Sequence, residues 1–117
     1  MNSILLGALG EQYAAKYLRY NHYKIKTANF KTYVGEIDII AEKKGVLCFI
    51  EVKTRQTGGM TDPADAVDTH KQENIKSSAA IYMNKWAPNT QKFRFDIIEV
   101  FVQDKELINI NHIENAF

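Results

Sequence analysis

Apolar and polar positions along the chain follow two different periods. Leu6, Leu9, Tyr13 and Tyr17 recur at three- and four-residue spacing within residues 3–20, which predicts an amphipathic helix ended by Asn21 and His22. Residues 24–30 read as a first, weaker strand. In residues 34–42 the period drops to two: Ile37, Ile39 and Ala41 fall on one side, Glu36 and Asp38 on the other. Lys43, Lys44 and Gly45 separate this second strand from a third at 46–55. Thr57, Gly58, Gly59 and Met60 read as a flexible connection, and Asp62 with Pro63 as the N-cap and first position of a long second helix. Its buried stripe is expected to be Val67, Ile75, Ala79, Tyr82 and Trp86, and Pro88 with Asn89 stops it. Residues 93–102 form a fourth strand, turning through Gln103, Asp104 and Lys105 into a short fifth at 107–113. The order α-β-β-β-α-β-β predicts an α/β fold, a mixed sheet flanked by two helices.

Composition narrows the class. With 117 residues, 45% apolar and 25% charged, the chain reads as one globular domain over residues 1–117. Its single cysteine, Cys48, lies in the apolar run Val46, Leu47, Cys48, Phe49, Ile50, so a buried small hydrophobe is expected rather than a reactive thiol. No stretch reaches the ~20 apolar residues of a membrane span, and the N-terminus lacks the basic and apolar segments of a secretory signal, so a cytoplasmic protein without a membrane partner is expected. A net charge of +1 makes no global case for nucleic acid. Any such case must be local.

The local chemistry sits in the hairpin between the second and third strands. A tight turn at Lys44 and Gly45 makes residue 43 oppose 46, and that register places Asp38 opposite Glu51 and Glu36 opposite Lys53, all on one face. Two carboxylates facing each other repel unless a cation or a proton lies between them. Oxygen ligands with no nearby histidine or thiolate favour Mg²⁺ or Mn²⁺ over zinc. Lys53, two residues beyond Glu51, points its ammonium at whatever the metal holds; in phosphodiester hydrolysis it orients the attacking water or offsets developing charge. Solvated strand charges are the plain alternative for this pattern.

Two helical charges fall where the pattern predicts core. Glu11 shares a helical angle with Gly7, Ala14 and Leu18, so it either completes the metal site or lies at the edge of the apolar stripe. Lys71 lies between Val67 and Ile75 and either leans over the sheet towards the site or snorkels past the core. No acidic residue occurs between Glu11 and Glu36, whereas Lys16, Arg19, Lys24, Lys26 and Lys31 are interleaved with aromatic residues. Such a tract suits a backbone-tracking surface for nucleic acid; it also suits a strand edge guarded by lysines. Arg94 and Asp96 read as a structural pair, and His22, His70 and His112 show no ligand spacing.

Taken in order, these residues resemble a known family. Gly7, Gly10, Glu11 and Ala14, then Gly35-Glu36-Ile37-Asp38 with Ile40-Ala41, then Phe49-Ile50-Glu51-Val52-Lys53-Thr54-Arg55, then Val67-Asp68 with Lys71 and Phe93-Arg94-Phe95-Asp96 match the small YraN-like bacterial proteins. The core of that family is similar to archaeal Holliday-junction resolvases of the PD-(D/E)XK superfamily. The resemblance implies a restriction-endonuclease-like fold. It also implies Asp38 and Glu51 as metal ligands with the Val52 carbonyl as a third, and Lys53 as the catalytic lysine, to which Glu11 and Lys71 are added as catalytic candidates. Lys24, Lys26, Lys31 and Arg55 are the candidate contacts to nucleic acid; Lys31 stands where the family usually carries arginine. The expected function is a Mg²⁺- or Mn²⁺-dependent endonuclease acting on branched or structured DNA. The alternative is an inactive nucleic-acid-binding or repair-adaptor module with the same fold. A homodimer follows by analogy with resolvases.

Overall fold

A computed structural model describes residues 1–57 and 67–117. Its elements are α1 (Ser3–Tyr20), β1 (Lys24–Lys31), β2 (Glu36–Lys43), β3 (Val46–Gln56), α2 (Thr69–Trp86), β4 (Phe93–Gln103) and β5 (Glu106–Ile113), in the order read from the sequence. The five strands form one sheet in the order β1-β2-β3-β4-β5, with β3 and β4 parallel and the other neighbours antiparallel. Lys44 and Gly45, at φ 51° and 78°, make the tight β2–β3 turn, and Lys43 pairs with Val46 as the register argument requires. Both central residues at positive φ match the twist of the flanking strands. Among the described residues no helix is long and apolar enough to cross a membrane.

Each helix covers one face of the sheet. Asn2 caps α1 by accepting the Leu5 N–H at 2.9 Å, and the helix presents Gly10, Ala14 and Leu18 to the sheet. A Cβ at position 10 would overlap the Thr54 side chain, so glycine is what lets α1 lie directly on β3. Beneath α1 lie Ile39, Ala41, Cys48, Ile50, Val52, Ile98 and Val100. Cys48 is fully buried, and burial pushes its thiol up to about 11, so it serves as a core hydrophobe. Beneath α2, Ile40, Leu47, Phe49 and Phe95 meet Ile75, Ala79 and Tyr82. Full burial of a large apolar side chain contributes about 1.5–3 kcal/mol.

The second helix departs from the expectation. It begins at Thr69, where Asp68 accepts the Lys71 N–H at 2.8 Å as N-cap, so Val67 precedes the helix, although it still packs on the cluster of Ile75, Ala79 and Tyr82. Trp86, in the last turn, is 61% exposed and lies under the Lys85 ammonium at 5.0 Å; Met83 and Ala87 of that end meet the apolar cluster in its place. Gly58, Gly59, Met60, Asp62 and Pro63 lie outside the described residues.

A kink in the β1–β2 hairpin was not visible in the sequence pattern. Ala28 pairs with Ile39 and Phe30 with Ile37, and between these pairs Asn29 adopts φ 52°. Asparagine tolerates this left-handed conformation better than other non-glycine residues. Beyond it the hairpin changes face. Phe30 packs edge-on against Tyr82 of α2 at 5.4 Å, and Ile37 joins the α2-side cluster, not the Ile39–Ala41 side assigned by alternation. Asp38 lies at this change of face.

Candidate functional site

The site opens where two strands part. The β2–β3 ladder runs from Lys43–Val46 to Ile39–Ile50 and stops one pair short of Asp38 and Glu51. In place of the next ladder bond, Asp38 Oδ2 accepts the Val52 N–H at 2.8 Å. A strand residue turns its N–H and C=O to the same edge, so the Val52 carbonyl faces the same gap. Glu51 is 5% exposed. Lys71 Nζ, reaching down from α2, lies 2.7 Å from Glu51 Oε1, and Lys53 Nζ lies 3.9 Å from the same oxygen. A cavity of about 200 Å³ is bounded by Glu36, Asp38, Glu51, Lys71 and Asn74.

The neighbouring loop holds α2 over this cavity. Thr32 Oγ1 accepts the N–H groups of Val34 and Gly35 at 3.1 Å and shares a 2.8 Å hydrogen bond with Ser78 of α2. A Cβ on Gly35 would come within 3.2 Å of Asn74 and Ser78, so the glycine before Glu36 permits the close approach of the helix that carries Lys71.

Glu11 approaches from α1. Its Oε1 is buried with no hydrogen-bond partner among the described residues. Burial, then the charges of Glu36 and Glu51, raise its pKa. Asp38 is raised further, to about 7, by burial first and by Glu51 second, with the Val52 hydrogen bond opposing. Burial also works against the Lys71 charge, but the hydrogen bond and charge of Glu51 outweigh it and hold the ammonium above its ordinary range. An acid-rich gap between two faces of the sheet is thus partly compensated by lysine.

The remaining candidates are placed as follows. Glu36 does not oppose Lys53; it pairs with Lys31 on β1 and is exposed, because β2 has turned away from β3 at that point. Lys24 and Lys31 are exposed on β1, Lys26 Nζ lies 3.3 Å from Glu42, and Arg55 Nε donates to Glu99 Oε2 at 2.9 Å. Asp38, Glu51, Lys53, Lys71 and Glu11 therefore come together, and Lys26 and Arg55 engage carboxylates elsewhere. Among the described residues no three His, Cys, Asp or Glu side chains form a ready-made metal cage. The donors fit a hard cation nonetheless: Asp38, raised by burial and by the Glu51 charge, and Glu51 are joined by a backbone carbonyl edge and by a buried Glu11 oxygen with no partner among the described residues.

A model of the Uncharacterised protein family UPF0102 matches residues 10–100. A UPF0102 protein of Acetivibrio thermocellus is 42% identical over 99% of this chain and 93% of its own length. One from Caldanaerobacter subterraneus subsp. tengcongensis is 43% identical over 100% and 98%, respectively. The chain belongs to the UPF0102 family. This bears out the YraN-like resemblance at the level of the family. The UPF0102 match takes in Gly10, Glu11, Asp38, Glu51, Lys53 and Lys71 and stops before His112.

The raised Asp38 has a consequence for stability. An aspartate ionises near 3.9 in the unfolded chain, so between that value and about 7 the unfolded state sheds a proton that the folded state keeps. Stability in chelator is therefore expected to fall as pH rises from about 4 to 7 and then level off, with this group contributing a loss of up to about 4 kcal/mol. Urea unfolding at pH 5 and pH 8 measures it. Asp38→Asn should flatten the slope; an equal slope in that variant refutes the assignment to Asp38.

Proposed function

We propose that the protein is a Mg²⁺- or Mn²⁺-dependent endonuclease that hydrolyses phosphodiester bonds in branched or structured DNA, with a fold of the PD-(D/E)XK kind. The observation that carries this reading is the meeting of Asp38 and Glu51 where β2 leaves β3, beside Lys53 and a buried oxygen of Glu11 that has no partner among the described residues. Asp38, Glu51 and the Val52 carbonyl would hold the cation, with Glu11 reaching it directly or through water. A bound divalent ion would polarise the scissile phosphate and acidify a water at neutral pH.

The side chains divide the remaining work. Asp38 is positioned by the Val52 N–H and must lose its proton to serve as a ligand, which couples ion binding to pH near 7. Lys53, rooted on the same strand as Glu51, offers its ammonium to the attacking water or to the charge that develops on the phosphate. Lys71 pairs with Glu51 and carries a positive charge that would also suit a phosphate oxygen held beside that carboxylate.

The same 2.7 Å contact favours a second reading. With Lys71 already neutralising Glu51, the site could be a nucleic-acid-binding module that does not cut. Incubation with linear, flapped and four-way-junction DNA separates the two. Cleavage that requires Mn²⁺ or Mg²⁺ and stops in chelator is expected. Binding without cleavage under any divalent ion would leave only the second reading. Homodimerisation is part of this proposal by analogy with junction resolvases, and a cytoplasmic location is part of it on the sequence expectation given above.

A further inference from the structure

A second cavity lies on the opposite face of the sheet from α2. It is a groove of about 470 Å³ between the flank of α1 and the part of β1 and β2 that α1 leaves uncovered. Its floor is small and apolar, built by Ala15, Ile25 and Ala28. Its rim carries Lys16 and Arg19, neither engaged by a carboxylate among the described residues. Glu11 closes the other end, and the charges of Glu36 and Glu51 act on it there. Glu11 thus lines the groove and lies within electrostatic reach of Asp38 and Glu51.

We infer that this groove binds a segment of single-stranded DNA and leads it to the Asp38–Glu51 gap. The inference rests on the nuclease reading only for what happens at the far end; binding in the groove stands without it. The volume falls in the range of about 300–1,000 Å³ usual for sites that enclose one small ligand unit. A single strand, unlike a duplex, exposes unstacked bases and sugars, and these supply the apolar surface that the alanine and isoleucine floor accepts. At 1.5 Å per residue, Lys16 and Arg19 lie about 7 and 12 Å along α1 from Glu11 (residues 16 and 19 against 11). Phosphates held by these two cations would leave a following linkage near the acid gap, where its negative charge is tolerated only with a cation bound. This path uses Lys16 and Arg19 of the basic tract read in the sequence and leaves aside Lys24, Lys26, Lys31 and Arg55, of which Lys26 and Arg55 are paired with Glu42 and Glu99.

The test is fluorescence anisotropy of a labelled 12-mer oligothymidylate, with a hairpin duplex of equal length as a second probe. Three proteins are compared: wild type, the double variant Lys16→Glu/Arg19→Glu, and Ala28→Phe, which fills the floor from an exposed strand position. The charge reversals should weaken single-strand binding at least tenfold and flatten its salt dependence by at least about 1.4 in log–log slope, 0.7 for each lost contact. Ala28→Phe should weaken it tenfold with the slope unchanged. Calorimetric Mn²⁺ affinity should be the same in all three. Single-strand affinities within twofold of wild type in both variants, or a duplex bound as tightly as the single strand, overturn the groove. Cleavage that persists alongside unchanged binding would remove the groove and leave the nuclease reading. Groove-dependent binding with no cleavage would do the reverse.

Discussion

Cleavage by Lys53→Ala is expected to fall by about 10²–10³ relative to wild type, the usual effect of removing one group that stabilises developing charge or orients a nucleophile. Lys53 lies 3.9 Å from Glu51 Oε1, on a strand whose pairing to β4 continues on both sides of it, through Val52–Ile98 and Thr54–Val100. Trimming the side chain should therefore leave the sheet intact. Urea unfolding and Mn²⁺ calorimetry on the same variant check that, since neither should change by more than a small factor. Lys53→Arg should not restore the rate, because a planar guanidinium cannot occupy the place of a compact ammonium. Wild-type cleavage by Lys53→Ala would remove the lysine from the chemistry and with it the main argument for hydrolysis at this gap.

The second large effect concerns stability and lies away from the site. Asp96 on β4 is fully buried. Its carboxylate accepts hydrogen bonds from Arg94 Nε at 3.0 Å, His112 Nε2 at 2.8 Å and the Asn115 N–H at 2.9 Å. Burial opposes its charge, but the bonds from His112, Arg94 and Asn115 outweigh that and hold it below the ordinary carboxylate range. A carboxylate only accepts, so His112 Nε2 carries the proton, and its Nδ1 meets the Tyr17 hydroxyl at 2.9 Å. Arg94 also donates to the Tyr23 hydroxyl at 2.7 Å. One acid thereby ties β4, β5, α1 and the C-terminal turn together. Asp96→Ala leaves the buried His112 imidazole and the Asn115 N–H without their acceptor, whereas the half-buried Arg94 keeps Tyr23 and Glu114; the expected loss is about 3 kcal/mol, a large part of the stability of a domain this size. Chemical denaturation at neutral pH measures it; a loss below about 1 kcal/mol would show that the network is incidental.

These two cases mark what the sequence could and could not convey. The hairpin register was legible as far as Ile39 and Ile50 because a tight turn at Lys44 and Gly45 leaves little choice of pairing; beyond that pair the strands part, so Asp38 and Glu51 meet across a gap and not as the ladder pair expected. The inward lean of Glu11 and Lys71 was legible from helical angle. The kink at Asn29 was not, since one residue in a left-handed conformation leaves no periodic trace, yet it cancels the expected Glu36–Lys53 opposition and moves Ile37 to the other face. The start of α2 was misplaced because Asp62-Pro63 and Asp68 both carry start signals, and only the Asp68 hydrogen bond to Lys71 N–H shows which one caps this helix. The pairing of Arg94 with Asp96 was readable from proximity on one strand. The part played by His112 was not, because it reaches Asp96 only through the β4–β5 pairing.

The change of face at Asn29 also decides how the site could be borrowed. A straight two-stranded hairpin bearing the same Asp and Glu would keep its ladder through residues 38 and 51, and the Val52 N–H would have no reason to take Asp38 as a partner. A designer transplanting this chemistry needs the bent hairpin, the glycine that seats α1 on β3, and the helix anchored through Ser78. The portable unit is a three-way junction of backbone, and the two acidic residues are only its most visible part.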